Sequence, residues 1–496
     1  MDHAAVPGSL KLILAAVILV YVAAMFALSL FAEKKIQNEE DYIVAGRRLP
    51  LSLAWATLLA TWFGAGTLLT ASTEVAREGI RKATLDPIGA GLCLIIAGFW
   101  IARPLWKMQL LTLSDFFRRR YGPSAEVLSA ILLIPTYLGW IAAQFVALAH
   151  VLNLFFDLPL PIGILLVAIV GTGYTLIGGM WSVTLTDAVQ ITMVLIGLII
   201  LTASCLSNIG GGNPVLGFTT VIGTLEQQSP EKLVLIPTES APAFWGWVSV
   251  LCAGSLGNLP GQDLMQRIFS SKSPEVAQQA CWLAGTAYLT FGALPILMGL
   301  VAATQYGGEV TDTVLPALAN SFMHPALTVV FVVVLMSAVI STIDSAILSP
   351  ATVMAQNLFG RLKEKGMSGL AVNRMCVLMV ACCSLAMAYT GERAYALLEN
   401  AYSLAMVALF VPLVMGLHTN PRNALPGVTA MVVGVGVWFP QYLSGWHYFL
   451  EGFEPIGHIG ISLSLSATTC AFVGYMIVHL LQVYYLRYPA RPAEEV

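Results

Sequence analysis

The sequence predicts an all-α polytopic membrane protein with about 13 transmembrane helices and a five-plus-five inverted repeat. Three observations lead to this prediction. The 496 residues are 57% hydrophobic and 10% charged, with a mean hydropathy of +0.80, whereas soluble domains carry about 25% charged residues. Apolar segments long enough to cross a bilayer follow one another along the whole chain. The second and the seventh are interrupted near their middle, a pattern typical of inverted-repeat membrane folds.

The candidate spans are apolar runs bounded by charged or turn-forming residues. They cover 10–32, 51–76, 85–105, 125–153, 160–178, 183–206, 241–260, 281–304, 326–355, 371–390, 395–417, 425–445 and 459–485. The first run is too long for the apolar region of a signal peptide, and it leads into Lys34 and Lys35. We therefore interpret it as a membrane span.

The basic residues predict the orientation of the chain. Thirteen spans place the two termini on opposite sides, and cytoplasmic loops carry an excess of lysine and arginine. With the N-terminus outside, six of the 24 basic residues lie outside: Lys11, Arg77, Arg81, Lys82, Lys232 and Arg393. This bias predicts a multi-pass plasma-membrane protein with its N-terminus outside and its C-terminus in the cytoplasm. The compact loops favour a bacterial inner membrane.

The sequence offers no motif for an enzyme or a nucleic-acid binder. The longest loop, 207–240, is too short for a soluble domain. There is no phosphate-binding GxxxxGK[ST] loop, no GxGxxG turn and no basic block. The eight cysteines lie in or beside apolar segments without CxxC spacing, so we expect neither disulfides nor a zinc site. These observations predict a protein without catalytic activity and without a cofactor.

Two spans are poorly suited to a continuous helix. The second has Gly64 and Gly66 at its centre, and the seventh contains Gly257 and Pro260. Relative to alanine, glycine inside a helix costs about 1 kcal/mol and proline about 3 kcal/mol. Close helix packing explains one such segment. Two in corresponding positions indicate a transporter in which unwound backbone frees carbonyl oxygens for a cation and half-helix ends face a solute.

The ninth span carries a stripe of hydroxyl groups. Small or hydroxyl residues share one narrow face of the predicted helix, with Asp344 on its flank. They are Ala338, Ser341, Thr342, Ser345 and Ser349. Polar groups are costly in lipid, and hydroxyl, carboxylate and carbonyl oxygens suit a hard cation. The hydroxyls could instead bond to the backbone one turn earlier, but this alternative leaves Asp344 unexplained.

Another intramembrane carboxyl lies near the start of the sixth span. Thr184, Asp187 and Gln190 are three residues apart and form one polar edge. An ionisable residue at this depth is a functional candidate by default, although a hydrogen-bond anchor between helices is an alternative. Glu74 and Asp86 fall at the ends of predicted spans, where we expect water and assign them no special role.

Four segments together resemble the sodium:solute symporter family, which shares the five-plus-five fold of the bacterial leucine transporter. These segments are 112–122 (TLSDFFRRRYG), 178–190, 266–273 and 338–345. The resemblance covers nearly the whole chain and implies a single transmembrane transporter domain, 1–496. It further implies a first repeat, a second repeat and two peripheral regions. Their ranges are 51–206 and 241–417 for the repeats, and 1–32 and 425–485 for the peripheral helices.

The resemblance also implies a sodium site. In this family, one sodium ion lies between the first and the eighth helix of the repeats, held by three backbone carbonyls and two hydroxyls. The matching positions are the carbonyls of Ala60, Phe63 and Ala338 and the hydroxyls of Ser341 and Thr342. The family has an aspartate that matches Asp187, on the route of the ion or at an additional sodium site. Asp187 and Asp344 are thus candidates for a second ion site or an ion route.

Within the family, the chain is most similar to the high-affinity choline transporters. The segments 60–66, 86–89 and 259–267 carry this likeness. Those proteins surround a quaternary ammonium with an aromatic cage. Trp62 matches one wall, but two further expected tryptophans are replaced by about Ala143 and Gly261. Nearby aromatic residues could rebuild the cage: Tyr137, Trp140, Trp245 and Trp247. The predicted solute-binding residues are Trp62, Gly64, Tyr137, Trp140, Gln144, Asn258 and Gly261.

These observations predict a sodium-coupled symporter that takes up a small organic solute by alternating access. The expected partners are sodium, the solute and the lipid bilayer, not nucleic acid, and the expected state is a monomer or weak dimer. Three alternatives remain: proton coupling through Asp187 or Asp344, choline or another quaternary ammonium as the specific solute, and a transporter-like sensor that signals through a partner kinase. A channel is disfavoured because the sequence shows no ring of like residues and no pore loop.

Overall fold

The computed structural model describes residues 8–34, 37, 39–306, 313–360, 362, 365–453 and 460–485. These residues form helices joined by short turns, without a β-strand among them. We label the α-helices in chain order as α1 Gly8–Glu33, α2 Glu39–Val44, α3 Leu51–Trp62, α4 Ser72–Glu78, α5 Ala90–Trp100, α6 Ala102–Lys107, α7 Leu113–Tyr121, α8 Pro123–Phe156, α9 Leu160–Ile209, α10 Pro214–Gln228, α11 Ala241–Leu256, α12 Gln262–Ser270, α13 Pro274–Tyr306, α14 Val314–Phe322, α15 Pro325–Val353, α16 Gly369–Ala388, α17 Ala394–Ala405, α18 Val411–His418, α19 Leu425–Leu443 and α20 Leu463–Leu480.

Short stretches of tighter or wider helix join several of these elements. The 3₁₀ segments are Ala45–Arg47, Ile80–Thr84 and Pro230–Leu233. The π-helical segments are Gly66–Ala71, Leu85–Gly89, Met354–Leu358, Met406–Phe410 and Leu481–Tyr485. Turns of π-helix inside α-helices are frequent at functional sites.

The sequence predicts thirteen membrane spans. Fewer helices of the structure pass a test of length and apolar composition. Among the described residues, nine helices are long and apolar enough to cross a membrane, or ten if the bent pair Leu51–Trp62 and Gly66–Glu78 counts as one span. Two shorter apolar helices, Leu160–Gly173 and Ala241–Leu256, lie where further spans are predicted. The count of thirteen therefore remains a prediction, as does the inverted repeat.

Both interruptions expected from the sequence are present. The second span bends by 50° between Trp62 and Gly66. In the seventh span, α11 ends at Leu256 and α12 begins at Gln262. This second half-helix ends at Ser270 and lies wholly beyond the predicted span end at residue 260. A third interruption, not predicted, lies at Asp86, whose φ and ψ of −147° and 124° are not helical.

The fifth and sixth predicted spans form one 50-residue helix with a kink. Gly179 has a φ of +54° inside α9, a conformation that favours glycine. A Cβ at this position would lie 2.5 Å from the ring of Tyr42. Glycine therefore permits both the kink and the close approach of α2.

The hydroxyl-rich helix α15 lies at the centre of the molecule. In Pro325–Leu358, 83% of an 18-residue apolar window is buried, against 6% of the corresponding window in α1. α15 packs against α3, α8, α9 and α16. Its hydroxyl stripe consequently faces protein rather than lipid, which is the arrangement expected for costly polar groups in a membrane.

Candidate functional site

The first candidate site lies where the broken second span meets α15. The last carbonyls of a helix have no amide partner within it, and α3 ends at Trp62. The carbonyl oxygen of Ala60 lies 3.4 Å from Thr342 Oγ1. The same hydroxyl lies 3.2 Å from the carbonyl oxygen of Ala338. Thr342 Oγ1 is thus within hydrogen-bonding distance of two of the other four oxygens predicted to hold sodium.

The remaining two predicted ligands adjoin this group. Phe63 is the first residue after α3, and its ring packs edge-on against Tyr288 with centroids 5.2 Å apart. Ser341 precedes Thr342 and donates a hydrogen bond to the carboxylate of Asp187. Ser341 and Thr342 therefore form one buried cluster with Asp187 and the carbonyls of Ala60 and Ala338. The Phe63 carbonyl remains a predicted ligand.

Gly64 permits the broken span to contact α15. A Cβ at Gly64 would lie 2.3 Å from Thr342 Oγ1 and 2.8 Å from its Cβ. No real side chain fits at such distances, so α3 and α15 can approach only because this residue is glycine. Gly64 was predicted to contact the solute, whereas in the structure it lies against the hydroxyl of Thr342.

We expect Gly64→Ala to weaken sodium binding at least about tenfold. Inserting a methyl group into a tightly packed contact costs about 1–3 kcal/mol, and here the group displaced is the Thr342 hydroxyl. The readout is the sodium-dependent rise in the melting temperature of purified protein, measured against potassium at equal ionic strength. Gly436→Ala is the matched control, because a Cβ there meets nothing within 4 Å. An unchanged sodium response in Gly64→Ala would contradict this reading of the contact.

Asp187 joins four helices around the cluster. Its carboxylate accepts hydrogen bonds from Ser341 and from Thr57 Oγ1, the latter at 2.5 Å. The guanidinium of Arg267 lies 4.0 Å away, and Arg267 Nη2 donates to Ser345 Oγ at 2.6 Å. Asp187 and Arg267 are both buried. The polar edge predicted in the sixth span thus contacts the hydroxyl stripe directly.

Asp344 has a different environment. It is buried, and Thr175 in the first half of α9 lies near its carboxyl. Among the described contacts, no hydrogen bond joins it to Ser341 or Asp187. Its predicted part in an ion route remains a prediction.

A cavity lies on the other side of the two broken spans. Side chains and backbone from α3, α5, α8, α12, α13, α17 and the turn between α11 and α12 surround it. Its lining is Trp62, Ala90, Thr136, Tyr137, Trp140, Gly257, Asn258, Pro260, Gly261, Asp263, Tyr288, Ala401, Tyr402 and Ala405. The cavity volume is about 30 Å³, whereas small-molecule sites usually measure about 300–1,000 Å³. Its walls must therefore move apart to admit a solute.

Five of the seven predicted solute-binding residues line this cavity: Trp62, Tyr137, Trp140, Asn258 and Gly261. The other two, Gly64 and Gln144, do not. Gln144 Oε1 accepts from the backbone amide of Ala65 at 2.9 Å, so it caps the second half of the broken span. Of the aromatic residues considered as substitutes, Tyr137 and Trp140 are in the wall. Trp245 is exposed, and Trp247 donates to Thr84.

Asp263 is a charged group in the cavity wall that the sequence analysis missed. Its carboxylate accepts hydrogen bonds from Trp62 Nε1 and from the Tyr137 hydroxyl. The nearest sequence signal is its place two residues after Gly261, at the start of the second half-helix. The rings of Tyr288 and Tyr402 complete the wall. The result is a carboxylate held among aromatic rings.

Glu74 and Asp86 were expected near water, and for Asp86 this expectation is wrong. Their exposed fractions are 4% and 5%. Glu74 pairs with Arg77 and with Arg393, at 3.3 and 3.8 Å. The carboxyl of Asp86 points into the broken span instead. Sequence position suggested span ends, but the third helix break buries Asp86 among neighbouring helices.

Side-chain hydrogen bonds close one end of the helix bundle. Gln262 Oε1 accepts from the amide of Leu113 at 2.7 Å, at the start of α7. Asn357 Nδ2 donates to Asp115 at 2.8 Å and to Glu126 at 2.9 Å. The TLSDFFRRRYG segment therefore forms a capped helix that contacts the half-helix α12 and the segment following α15.

Comparisons with known proteins agree with this architecture. The model of the sodium:solute symporter family matches residues 42–434. The chain is 28% identical over 418 residues to the high affinity choline transporter 1 of Homo sapiens, covering 80% of this chain and 70% of that one. It is 23% identical over 461 residues to the sodium/glucose cotransporter of Vibrio parahaemolyticus, covering 83% and 82%.

A solved structure shares the fold. A Na⁺-coupled sialic acid symporter in a substrate-bound outward-open state matches with a TM-score of 0.73 at 16% identity, covering 94% of this chain and 98% of that one. The family match spans most of the chain, including both broken spans and α15. Its relatives are transporters rather than enzymes. The chain therefore belongs to the sodium:solute symporter family.

Proposed function

We propose that this protein is a sodium-coupled symporter that takes up a small organic cation by alternating access. One observation carries the proposal: buried negative charge exceeds buried positive charge around the two broken spans. Four carboxyls are buried there, with one guanidinium among them. They are Asp86, Asp187, Asp263 and Asp344, with Arg267.

Only one of these carboxyls forms an ion pair among the described residues. Among the described residues, Asp187 has Arg267 at 4.0 Å, and no basic side chain lies within that distance of the other three. Burying an unpaired charge is strongly unfavourable. The protein is therefore best suited to binding cations. A sodium ion and a cationic solute would together supply the positive charge that balances the buried carboxylates.

The sodium ion is assigned to the cluster at α3 and α15. Carbonyls of Ala60, Phe63 and Ala338 and hydroxyls of Ser341 and Thr342 would hold it. Hard oxygen atoms suit such a cation, and the bound ion would join the broken span to α15. Each charge that moves inward through 100 mV contributes about 2.3 kcal/mol, which is roughly a fifty-fold concentration ratio.

The cavity favours an organic cation over a neutral solute. Asp263 supplies a negative charge, and the rings of Trp62, Tyr137 and Trp140 offer faces for cation–π contact. The rings of Tyr137 and Trp140 are 5.7 Å apart, tilted by 57°. The similarity to choline transporters points to the same class, although the two replaced tryptophans give this cage a different composition.

Arg267 connects the two sites. Its Nη1 donates to the backbone carbonyl of Asp263 at 3.2 Å, and its Nη2 contacts Ser345 and faces Asp187. A cationic solute that displaces Asp263 would thus shift the guanidinium of Arg267 beside Asp187. This connection gives a physical path by which solute binding and ion binding affect each other.

The closed end of the bundle supports alternating access. With the N-terminus outside, the contacts of Gln262 and Asn357 lie on the cytoplasmic side of the cavity. We infer that these hydrogen bonds hold the inner gate shut until both ligands are bound. The protein would then act in the plasma membrane.

Transport by purified protein in liposomes tests the proposal. We expect an inward sodium gradient to drive saturable uptake of radiolabelled choline, used as the quaternary ammonium probe, and to leave glucose, a neutral control, outside. Uptake that follows a proton gradient and ignores sodium would favour the proton-coupled alternative. Binding without any gradient-driven uptake would favour the sensor.

A further inference from the structure

The carboxyl of Asp86 lies in a group of oxygen atoms outside the sodium cluster and beside the solute cavity. Its Oδ1 lies 2.6 Å from Thr67 Oγ1 and 2.9 Å from the Tyr288 hydroxyl. The Tyr288 hydroxyl also lies 2.7 Å from the carbonyl oxygen of Trp62 and 2.5 Å from Thr67 Oγ1. Carboxylate, hydroxyl, phenol and backbone carbonyl oxygens converge there from three separate parts of the chain.

This group has more oxygen contacts than hydrogen atoms. Four oxygen–oxygen distances fall between 2.5 and 2.9 Å. The hydroxyls of Thr67 and Tyr288 each carry one hydrogen, and the carboxylate and carbonyl carry none. Two of the four contacts therefore bring lone pairs together without a hydrogen between them. Positive charge placed among the oxygens would relieve this repulsion.

The backbone is shaped to bring Asp86 into the group. Asp86 has an extended conformation within otherwise helical surroundings, and such a break at membrane depth is tolerated where it is buried in protein or lines a cavity. Gly66 leaves the necessary room, since a Cβ there would lie 2.6 Å from Asp86 Oδ2. Asp86 is also without a basic partner within ion-pairing distance among the described residues.

We propose that Asp86, Thr67, Tyr288 and the carbonyl of Trp62 bind a monovalent metal cation, with sodium as the physiological ion. Four hard oxygen ligands including a carboxylate fit such an ion. A proton would need only one pair of these oxygens. The broken span would then serve two ions, with the Ala60 carbonyl directed to α15 and the Trp62 carbonyl directed to α13.

This site goes beyond the sodium cluster of the proposed function, and it adjoins the solute cavity. Trp62 and Tyr288 both line that cavity. An ion that fixes the Trp62 carbonyl and the Tyr288 hydroxyl would set the positions of two wall residues. Occupancy of the Asp86 site should therefore raise the affinity for solute.

Equilibrium binding of ²²Na⁺ to the purified full-length protein tests the proposal, with potassium replacing sodium at constant ionic strength. We expect Asp86→Asn to bind one sodium ion fewer than the unmodified protein. Thr342→Ala should lose a different ion, so that the double variant loses two. Tyr288→Phe removes one ligand without changing charge, and it should weaken the Asp86 site about tenfold. Gel filtration confirms that each variant is folded.

Matched controls separate this site from general effects. Glu74→Gln removes a buried carboxylate that already pairs with Arg77, and Ser72→Ala removes a hydroxyl that bonds to its own helix at Leu68. Both variants should bind as many sodium ions per molecule as the unmodified protein. An unchanged sodium number in folded Asp86→Asn overturns the proposal. If Thr342→Ala alone loses an ion, the proposed function stands while this site fails.

Discussion

Thr342→Ala should raise the sodium concentration needed for half-maximal stabilisation by about ten- to a hundred-fold. The variant removes the hydroxyl that lies between the carbonyls of Ala60 and Ala338. An interaction with a charged group contributes about 1.5–3 kcal/mol, which corresponds to that range of affinity. Ser341→Ala should act in the same direction, because it removes a second hydroxyl and its hydrogen bond to Asp187.

The measurement is the melting temperature of purified protein titrated with sodium, since a ligand of the folded state stabilises it in proportion to its occupancy. Ser349→Ala is the matched control. Its hydroxyl lies on the same helix but contacts Gln266 Oε1 at 3.0 Å and the carbonyl of Ser345 at 2.9 Å. If Thr342→Ala and Ser341→Ala both respond to sodium as the unmodified protein does, the sodium assignment is wrong.

Asp263→Asn should lower the affinity for a cationic solute about a hundredfold or more. A charge pair at 4 Å contributes about 4 kcal/mol at an effective dielectric constant of 20, and part of this is offset by desolvation. The amide can preserve both existing contacts. Its oxygen can accept from Trp62 Nε1, and its NH₂ group can donate to the Tyr137 hydroxyl. The variant therefore removes charge while the cavity keeps its shape.

Binding of choline to the purified variant, followed by tryptophan fluorescence in saturating sodium, checks this expectation. The sodium-dependent rise in melting temperature serves as an internal control, because Asp263 lies outside the predicted sodium ligands. That rise should persist. Unchanged choline affinity in Asp263→Asn would falsify the organic-cation reading while leaving the symporter fold and the sodium cluster in place.

The composition and the periodicity of the chain determined its class. Apolar runs can bury their backbone in lipid only as helices, so the all-α membrane fold followed from the sequence. The breaks at Gly64 and Gly257 followed from the cost of glycine and proline inside helices. The stripe from Ala338 to Ser349 followed from helical periodicity, because residues that share a face do so wherever the helix packs.

The partners of that stripe depended on the tertiary structure. Ser341 meets Asp187 and Thr342 meets Ala60 across more than a hundred residues of sequence. A sequence pattern gives the face of a helix but not the helix it contacts. The family resemblance supplied the pairing of Thr342 with Ala60, and the contact of Arg267 with Asp187 emerged only from the packing.

Asp263 and Asp86 show why the carboxylate of the solute cavity and the proposed further ion site escaped sequence reasoning. Asp263 stands in a polar stretch where a carboxylate is unremarkable, and Asp86 stands at an apparent span end. Both side chains face inward because the backbone beside them is irregular. Asp263 lies at the start of α12, and Asp86 lies at the break before α5. The sequence by itself determined a helical membrane transporter with two broken spans. Only the tertiary structure decided which buried charges face one another, because their surplus arises from contacts between distant helices.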